Sequence, residues 1–202
     1  ELDAADVAQR LAEREILFLD TRTMAEWHAD PIDGALFVPS GSNFATYASY
    51  AIDPERDEQD IVVLASNAAH AAQLRDKLAW TGIDRFAGFV SELAPFARGT
   101  IEVLSPAQVE MQLGRTPVLD VRNATEYAGG HIDDAQQIHT GRVRWYLDRI
   151  PQQGLITHCQ GGGRAAVAAS ILRRHGWNDV REIQGGYEGW STFQREAQAT
   201  PA

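Results

Sequence analysis

An internal repeat constrains the fold of this chain more than any other feature of its sequence. A short apolar run ends in Asp-x-Arg at Asp20 and again at Asp120, and the residues that follow stay in step at a constant spacing of 100. Further along, the apolar run at residues 61–64 matches the run at 155–158 at a spacing of 94. Self-similarity at fixed spacings indicates that the chain contains two copies of one folding unit.

Each copy alternates short apolar runs with longer amphipathic segments, which predicts an α/β fold with two mostly parallel sheets and helices on both faces of each. The clearest predicted strands and helices are strands 16–19, 61–64 and 155–157 and helices 3–14, 68–80 and 165–175. Ser105 and Pro106 predict an N-cap followed by proline at the first helical position. The Ser/Asn/Asp-rich stretch at 40–60 predicts a surface loop, and residues from Gln194 onward a helix end with a frayed tail.

The sole cysteine, Cys159, follows the strand predicted at 155–157 and is followed by Gln-Gly-Gly-Gly-Arg. Glycines can turn successive N–H groups toward one point, and the next helix adds the positive end of its dipole. With the fixed charge of Arg164, such a loop favours a thiolate. A lone cysteine is often a small buried hydrophobe, but a core cysteine has no need of three glycines, so we interpret Cys159 as reactive.

The first copy lacks this loop. At the spacing of 94, Ala65 takes the position of Cys159 and His70 that of Arg164, while the three glycines become Asn-Ala-Ala. The sequence therefore predicts one copy with a nucleophile and one without.

The net charge of −10 argues against nucleic acid as a partner. Residues 1–100 carry 8 basic and 17 acidic side chains, whereas residues 101–202 carry 10 and 11, so the acidity lies in the first half. An anionic substrate is compatible with the arginines near the cysteine: Arg142, Arg144, Arg149, Arg164 and Arg173. The chain has no apolar run of about 20 residues and no signal-peptide pattern, so we expect no membrane partner and a cytoplasmic location.

The second copy resembles the rhodanese (sulfurtransferase) family nearly end to end. The resemblance lies in Asp120-Val121-Arg122, Glu126-Tyr127, Gly130-His131-Ile132, the loop from Cys159 to Arg164, and Gly185-Gly186-Tyr187 with Trp190. The first copy resembles the same family without its active loop. The resemblance implies tandem domains, a silent one at 1–97 and an active one at 98–202.

The resemblance further implies that a thiolate accepts a sulfane sulfur from thiosulfate or a small persulfide and passes it to a thiol or cyanide. Cys159 is then the nucleophile, and the donor and persulfide are held by Gln160, Gly161, Gly162, Gly163 and Arg164. Asp120 and Arg122 have a supporting role, His131 fixes a turn, and His158 is a poor general base because its strand position faces away from the cysteine. No metal or cofactor is implied.

The chain has two domains of about 100 residues, of which the first is silent and the second has an active loop that ends in an arginine. This arrangement looks like the C-terminal part of metallo-β-lactamase-fold/rhodanese fusion proteins, which include persulfide dioxygenases. The chain begins with Glu1, so an upstream domain of that kind is expected in the full-length protein. Two alternatives remain. One is a non-catalytic interaction module. The other is a phosphatase or arsenate reductase, although those use Cys-x5-Arg and four residues separate Cys159 from Arg164 here.

Overall fold

Two parallel β-sheets, one in each unit of the chain, form the framework of the protein. A computed structural model describes residues 1–199, and the chain divides into Glu1–Thr100 and Ile101–Ala202. The division falls three residues beyond the domain boundary predicted after residue 97. The final helix ends at Ala199, within the stretch from Gln194 onward that is predicted to hold a helix end, and the last part of the predicted tail (200–202) lies outside the described residues.

The first unit has a four-stranded sheet in the order β2-β1-β3-β4, with every neighbouring pair parallel. Its strands are β1 (Ile16–Asp20), β2 (Leu36–Phe37), β3 (Asp60–Leu64) and β4 (Phe86–Val90). Its helices are α1 (Ala4–Ala12), α2 (Met24–Ala29), α3 (Phe44–Ala51) and α4 (Ala68–Ala79). Strand β1 is buried along its whole length, as its continuous apolar run predicts for a central parallel strand.

The second unit has a five-stranded parallel sheet in the order β5-β9-β8-β6-β7. Its strands are β5 (Val103–Leu104), β6 (Val118–Asp120), β7 (Gln136–Gln137), β8 (Leu155–His158) and β9 (Val180–Ile183). Its helices are α5 (Pro106–Glu110), α6 (Ala124–Ala128), α7 (Gly163–Arg174) and α8 (Gly186–Ala199), with two 3₁₀ helices at Thr140–Trp145 and Leu147–Arg149. The predicted parallel α/β architecture is confirmed in both units.

Local sequence signals fix several of these ends. Ser105 accepts the backbone N–H of Gln108, whose side chain bonds back to the N–H of Ser105, so the predicted N-cap before α5 is confirmed as a capping box. Small alanines let α7 bury nearly its whole length. One core cluster of the second unit consists of Leu104, Val109, Val118, Ile132, Ala135, Ile156, Ile183 and Trp190.

The strand registers repeat the sequence spacings. Leu19 pairs with Leu36 in the first unit, and Leu119 pairs with Gln136 in the second, an offset of 100 on both strands. Likewise, Phe18 opposite Val62 corresponds to Val118 opposite Ile156, with offsets of 100 and 94. Four strands therefore follow the same order in each unit, and β5 extends the second sheet by one strand.

The prediction of a surface loop across residues 40–60 is wrong over part of its length, because α3 lies within it. Phe44, Ala48 and Ala51 are buried, and their spacing of four and three residues places them on one helical face. Composition concealed this period, since the intervening residues are small or polar. Within residues 1–199, no helix has both the length and the apolar character needed to cross a membrane.

Candidate functional site

Cys159 lies immediately after β8, at the carboxyl end of an inner strand of the second sheet. The chain turns there into α7, whose N-cap is Gly162. Ligand sites in parallel α/β sheets form at this edge, because the turns from strands into helices meet there. The predicted position of the cysteine, at the junction of a buried strand and a helix, is confirmed.

The sulfur of Cys159 accepts a hydrogen bond from the backbone N–H of Gly162 at 3.1 Å. Gly162 has φ 114° and ψ −41°, a conformation that side-chain-bearing residues rarely adopt, so a glycine is needed to turn this amide toward the sulfur. Of the five amides in residues 160–164, that of Gly162 is the one within hydrogen-bond reach of Sγ in the described chain. Cys159 is 2% exposed, whereas Gln160 and Gly161 on the outer side of the loop are exposed.

The first turn of α8 holds the same loop from the other side. The N–H of Tyr187 donates to the carbonyl of Cys159 at 2.7 Å, and that of Glu188 donates to the carbonyl of Gln160 at 3.1 Å. Gly186 makes this approach possible: it has φ 59°, and a Cβ there would lie 2.5 Å from the carbonyl oxygen of Cys159. The double glycine at 185–186 thus serves the geometry of the cysteine loop.

Arg164 forms a bidentate ion pair with Glu126, at 2.7 Å from Nη1 and 2.6 Å from Nη2. This hydrogen bonding lowers the pKa of Glu126 to about 2 and raises the pKa of Arg164 above its usual value. The nearby side chain of Cys159 also contributes to raising the pKa of Arg164. The guanidinium is therefore fixed beside the loop by a carboxylate.

Sequence reasoning noted Glu126 as part of a motif and assigned it no role. The signal that could have revealed it is the comparison with the first copy, where Glu26 corresponds to Glu126 but His70 stands at the position of Arg164. Glu26 binds the backbone and hydroxyl of Thr23 instead. Since α6 begins with Asn123 capping the N–H of Glu126, the helix start itself places the carboxylate.

The Glu126 pair makes a testable prediction about pKa values. In the wild type, Glu126 should titrate at about pH 2, and an Arg164→Met variant should return its pKa toward 4.5. A carboxyl whose folded pKa is depressed stabilises the fold above about pH 4.5, and that contribution is lost as the pH falls toward 2. Carbon-detected NMR titration of the glutamate carboxyls measures this shift. Glu26, which faces no such arginine, is the matched control and should be insensitive to Arg164→Met; an unchanged Glu126 pKa in the variant contradicts the assignment.

Asp120 and Arg122 form a buried clamp at the end of β6. The guanidinium of Arg122 binds both carboxylate oxygens of Asp120 and donates to the carbonyl of Gly130 at 2.8 Å. It also reaches Oε1 of Gln160 at 3.3 Å and stacks 3.9 Å from the ring centroid of Tyr187. The clamp therefore ties the end of one strand to the cysteine loop and to α8.

The same clamp occurs in the first unit, where Arg22 binds Asp20 and donates to the carbonyl of Asp30 at 2.8 Å. Because that unit has no cysteine, the clamp belongs to the fold and does not depend on the presence of a nucleophile. The contacts of Arg122 to Gln160 and to the ring of Tyr187 are the additions made in the second unit.

Two histidines near the loop have defined structural partners. His158 is fully buried, with Nδ1 3.3 Å from the carbonyl oxygen of Cys159 and Nε2 3.6 Å from Asp120. Burial lowers its pKa, so the ring is neutral at neutral pH. His131 stacks on Tyr127 at 3.9 Å between ring centroids, and its Nδ1 lies 3.0 Å from the carbonyl oxygen of Tyr127.

The corresponding place in the first unit is an open cavity of about 440 Å³ beside Ala65. There the backbone N–H of Ser66 donates a hydrogen bond to Nδ1 of His70 at 3.3 Å, so the histidine side chain binds an amide of the loop. No group of three or more metal-ligating side chains occurs in residues 1–199.

Comparison with known proteins gives a match within the second unit. Residues 105–193 match the family model of the rhodanese-like domain. The matched range includes Cys159 and its loop.

Individual proteins resemble the chain at low identity. The uncharacterized protein YqhL of Bacillus subtilis is 29% identical over 77 residues, 38% of this chain and 61% of that protein. The tRNA uridine(34) hydroxylase of Escherichia coli K12 is 25% identical over 181 residues, 82% of this chain, and the chain spans 49% of its length. Among solved structures, a thiosulfate sulfurtransferase from Pseudomonas aeruginosa is 21% identical with a TM-score of 0.44, covering 95% of this chain and 42% of that one.

Proposed function

We propose that the second unit is a sulfurtransferase that carries a sulfane sulfur as a persulfide on Cys159. The donor is thiosulfate or a low-molecular-weight persulfide, and the acceptor is a thiol or cyanide. The observation that supports this most directly is the sulfur of Cys159 accepting the Gly162 N–H at the start of α7. A cysteine placed at a helix N-terminus beside an arginine has the surroundings of a reactive thiolate.

The reaction proceeds in two displacements. The Cys159 thiolate attacks the outer sulfur of thiosulfate; a new S–S bond to Cys159 forms, the old S–S bond breaks, and its electron pair leaves with sulfite. In the second displacement, cyanide attacks the outer sulfur of the persulfide and leaves as thiocyanate, which regenerates the thiolate. Charge and atoms balance in both displacements, and no external oxidant or reductant takes part. Covalent catalysis of this kind needs one nucleophile and no second cysteine.

The residues around Cys159 bind the donor and the persulfide and position the loop. In this proposal, the amides of Gln160, Gly161, Gly162, Gly163 and Arg164 surround the outer sulfur of the persulfide. Arg164, fixed by Glu126, supplies positive charge for the anionic donor. Asp120 and Arg122 position the loop through Gln160. The chemistry requires no metal or cofactor.

For the first unit we propose a silent rhodanese-like domain that serves as an interaction module. Its strand order and its Asp20–Arg22 clamp match those of the second unit, but Ala65 has no nucleophilic atom. An upstream metallo-β-lactamase-fold domain in the full-length protein and a cytoplasmic location are part of the same proposal.

The activity named for the Escherichia coli relative is not carried over. The net charge of −10 argues against nucleic acid as a partner. Phosphatase chemistry is also disfavoured, because the loop between Cys159 and Arg164 is one residue shorter than the Cys-x5-Arg loop that surrounds a phosphate.

Intact-mass spectrometry tests the proposal. After incubation with thiosulfate or glutathione persulfide and removal of the donor, the protein should gain the mass of one sulfur atom, and addition of cyanide should remove it. Peptide mapping should place the added sulfur on Cys159. A protein that gains no sulfur from any of these donors while the loop is folded would leave the interaction-module interpretation for both units.

A further inference from the structure

A cavity of about 470 Å³ opens on the second unit at the start of α6, the helix that carries Glu126. It lies between the start of α6 and the segment that follows β7. Its lining consists of Asn123, Ala124, Gln136, Gln137, Ile138, His139, Arg142, Tyr146 and Arg149. This volume is within the range of about 300–1,000 Å³ typical of sites for organic ligands. It is far larger than thiosulfate requires.

Two arginines without carboxylate partners give the cavity its charge. Within residues 1–199, neither Arg142 nor Arg149 forms an ion pair. The guanidinium carbon of Arg149 lies over the ring of Tyr146, 4.7 Å from the ring centroid. The backbone carbonyl of Arg149 accepts a hydrogen bond from the side-chain N–H of Gln136 at 3.1 Å. Arginines without an ion-pair partner can donate hydrogen bonds to the carboxylates or phosphates of a ligand.

The cavity wall is joined directly to the proposed active loop. Asn123 on the wall caps Glu126, the carboxylate that binds Arg164. The hydroxyl of Thr140, the residue after His139, lies 3.1 Å from the carbonyl oxygen of Val121 and 3.4 Å from that of Arg164. The cavity lining is therefore linked to the Glu126–Arg164 pair through the hydrogen bond of Asn123.

A second connection runs through the floor of the cavity. The side-chain N–H of Gln137 donates to the carbonyl of Arg122 at 2.6 Å, and Arg122 in turn reaches Gln160. His139 contributes no positive charge at neutral pH, because burial and then the charges of Arg164 and Arg142 lower its pKa. The net charge of the lining thus comes from Arg142 and Arg149.

We propose that this cavity binds the body of an organic thiol or persulfide that bears several negative charges. Arg142 and Arg149 hold its anionic groups, and its sulfur extends toward Cys159. This inference rests on the proposed sulfur transfer and names its preferred substrate class. The Cys159 thiolate attacks the outer sulfur of RS–SH; the bond from that sulfur to Cys159 forms, the RS–S bond breaks, and RS⁻ leaves with the bonding electrons.

The test compares an Arg142→Gln/Arg149→Gln double variant with Arg115→Gln, which removes an exposed arginine of the same unit outside the cavity. Calorimetric titration in a Cys159→Ala background measures binding of glutathione, which supplies carboxylates, and of coenzyme A, which supplies phosphates. Loss of charge-assisted hydrogen bonds in the double variant should weaken binding of at least one by roughly tenfold or more. Arg115→Gln should leave both affinities unchanged.

Kinetics with the intact cysteine provide the second readout. In the double variant, kcat/KM for glutathione persulfide should fall roughly tenfold, while kcat/KM for thiosulfate changes by less than about threefold. Equal losses for both donors, or no binding of either thiol to the Cys159→Ala protein, would overturn the cavity assignment. Failure of every donor to load Cys159 would contradict the proposed function itself, and the two failures are therefore distinguishable.

Discussion

Replacing Cys159 with serine should lower sulfur transfer from thiosulfate to cyanide by roughly 10³-fold or more, the scale expected when a nucleophile is removed. A serine hydroxyl is not ionised at neutral pH and cannot form a persulfide. Serine nevertheless fits the site. In the wild type, Sγ of Cys159 accepts a hydrogen bond from the N–H of Gly162 at 3.1 Å, and the serine oxygen can accept the same hydrogen bond. We therefore expect the loss in the rate of thiocyanate formation and no loss of folded protein.

The internal repeat supplies the matched control. Ala65→Ser introduces the same hydroxyl at the corresponding buried position of the first unit, and should leave thiocyanate formation at the wild-type rate. Circular dichroism and thermal unfolding of both variants separate lost chemistry from lost structure. Activity of Cys159→Ser within tenfold of wild type would remove Cys159 from the mechanism.

Gly186→Ala should have the second-largest effect. Its Cβ would lie 2.5 Å from the carbonyl oxygen of Cys159 and 2.7 Å from that of Gln160, both backbone atoms that cannot turn aside. The residue also has φ 59°, which disfavours alanine. Relief requires α8 to separate from the cysteine loop, which disrupts the hydrogen bonds from Tyr187 and Glu188.

We expect Gly186→Ala to destabilise the second unit by about 1–3 kcal/mol, as overpacking commonly does. We also expect it to slow sulfur transfer by roughly 10²-fold, because the loop that positions the sulfur is displaced. Urea unfolding and the rate of thiocyanate formation measure the two effects. Gly41→Ala is the control for the substitution itself, since a Cβ at Gly41 meets no atom within 4 Å. A Gly186→Ala protein as active and stable as Gly41→Ala would show that the close approach is unimportant.

Much of the fold can be predicted from the sequence, because buried parallel strands are recognisable as short continuous apolar runs. The spacings of 100 and 94 were enough to predict which strands correspond, and the observed registers repeat them at Phe18 and Val118. The exception, α3, escaped prediction because its buried positions are mostly alanines, whose weak apolar signal is lost among polar neighbours. Short strands such as β7, with two glutamines, carry no hydrophobic pattern at all.

In the candidate site, too, some features can be predicted from the sequence and others depend on the fold. The cysteine and its glycines are adjacent in sequence, so their proximity to one another required no knowledge of the fold. Glu126 lies 38 residues before Arg164, and only folding brings the two together. Arg142 and Arg149 were noted for their charge, but their lack of carboxylate partners and their shared cavity depend on where the 3₁₀ segments run.

The arginine–aspartate clamp has a wider consequence, since it is present at Arg22 and at Arg122 although the first unit has no cysteine. The clamp therefore does not depend on the cysteine. In the proposed assignment, the residues between one strand and the next helix decide whether a unit is reactive, while the framework around them is the same with or without a nucleophile.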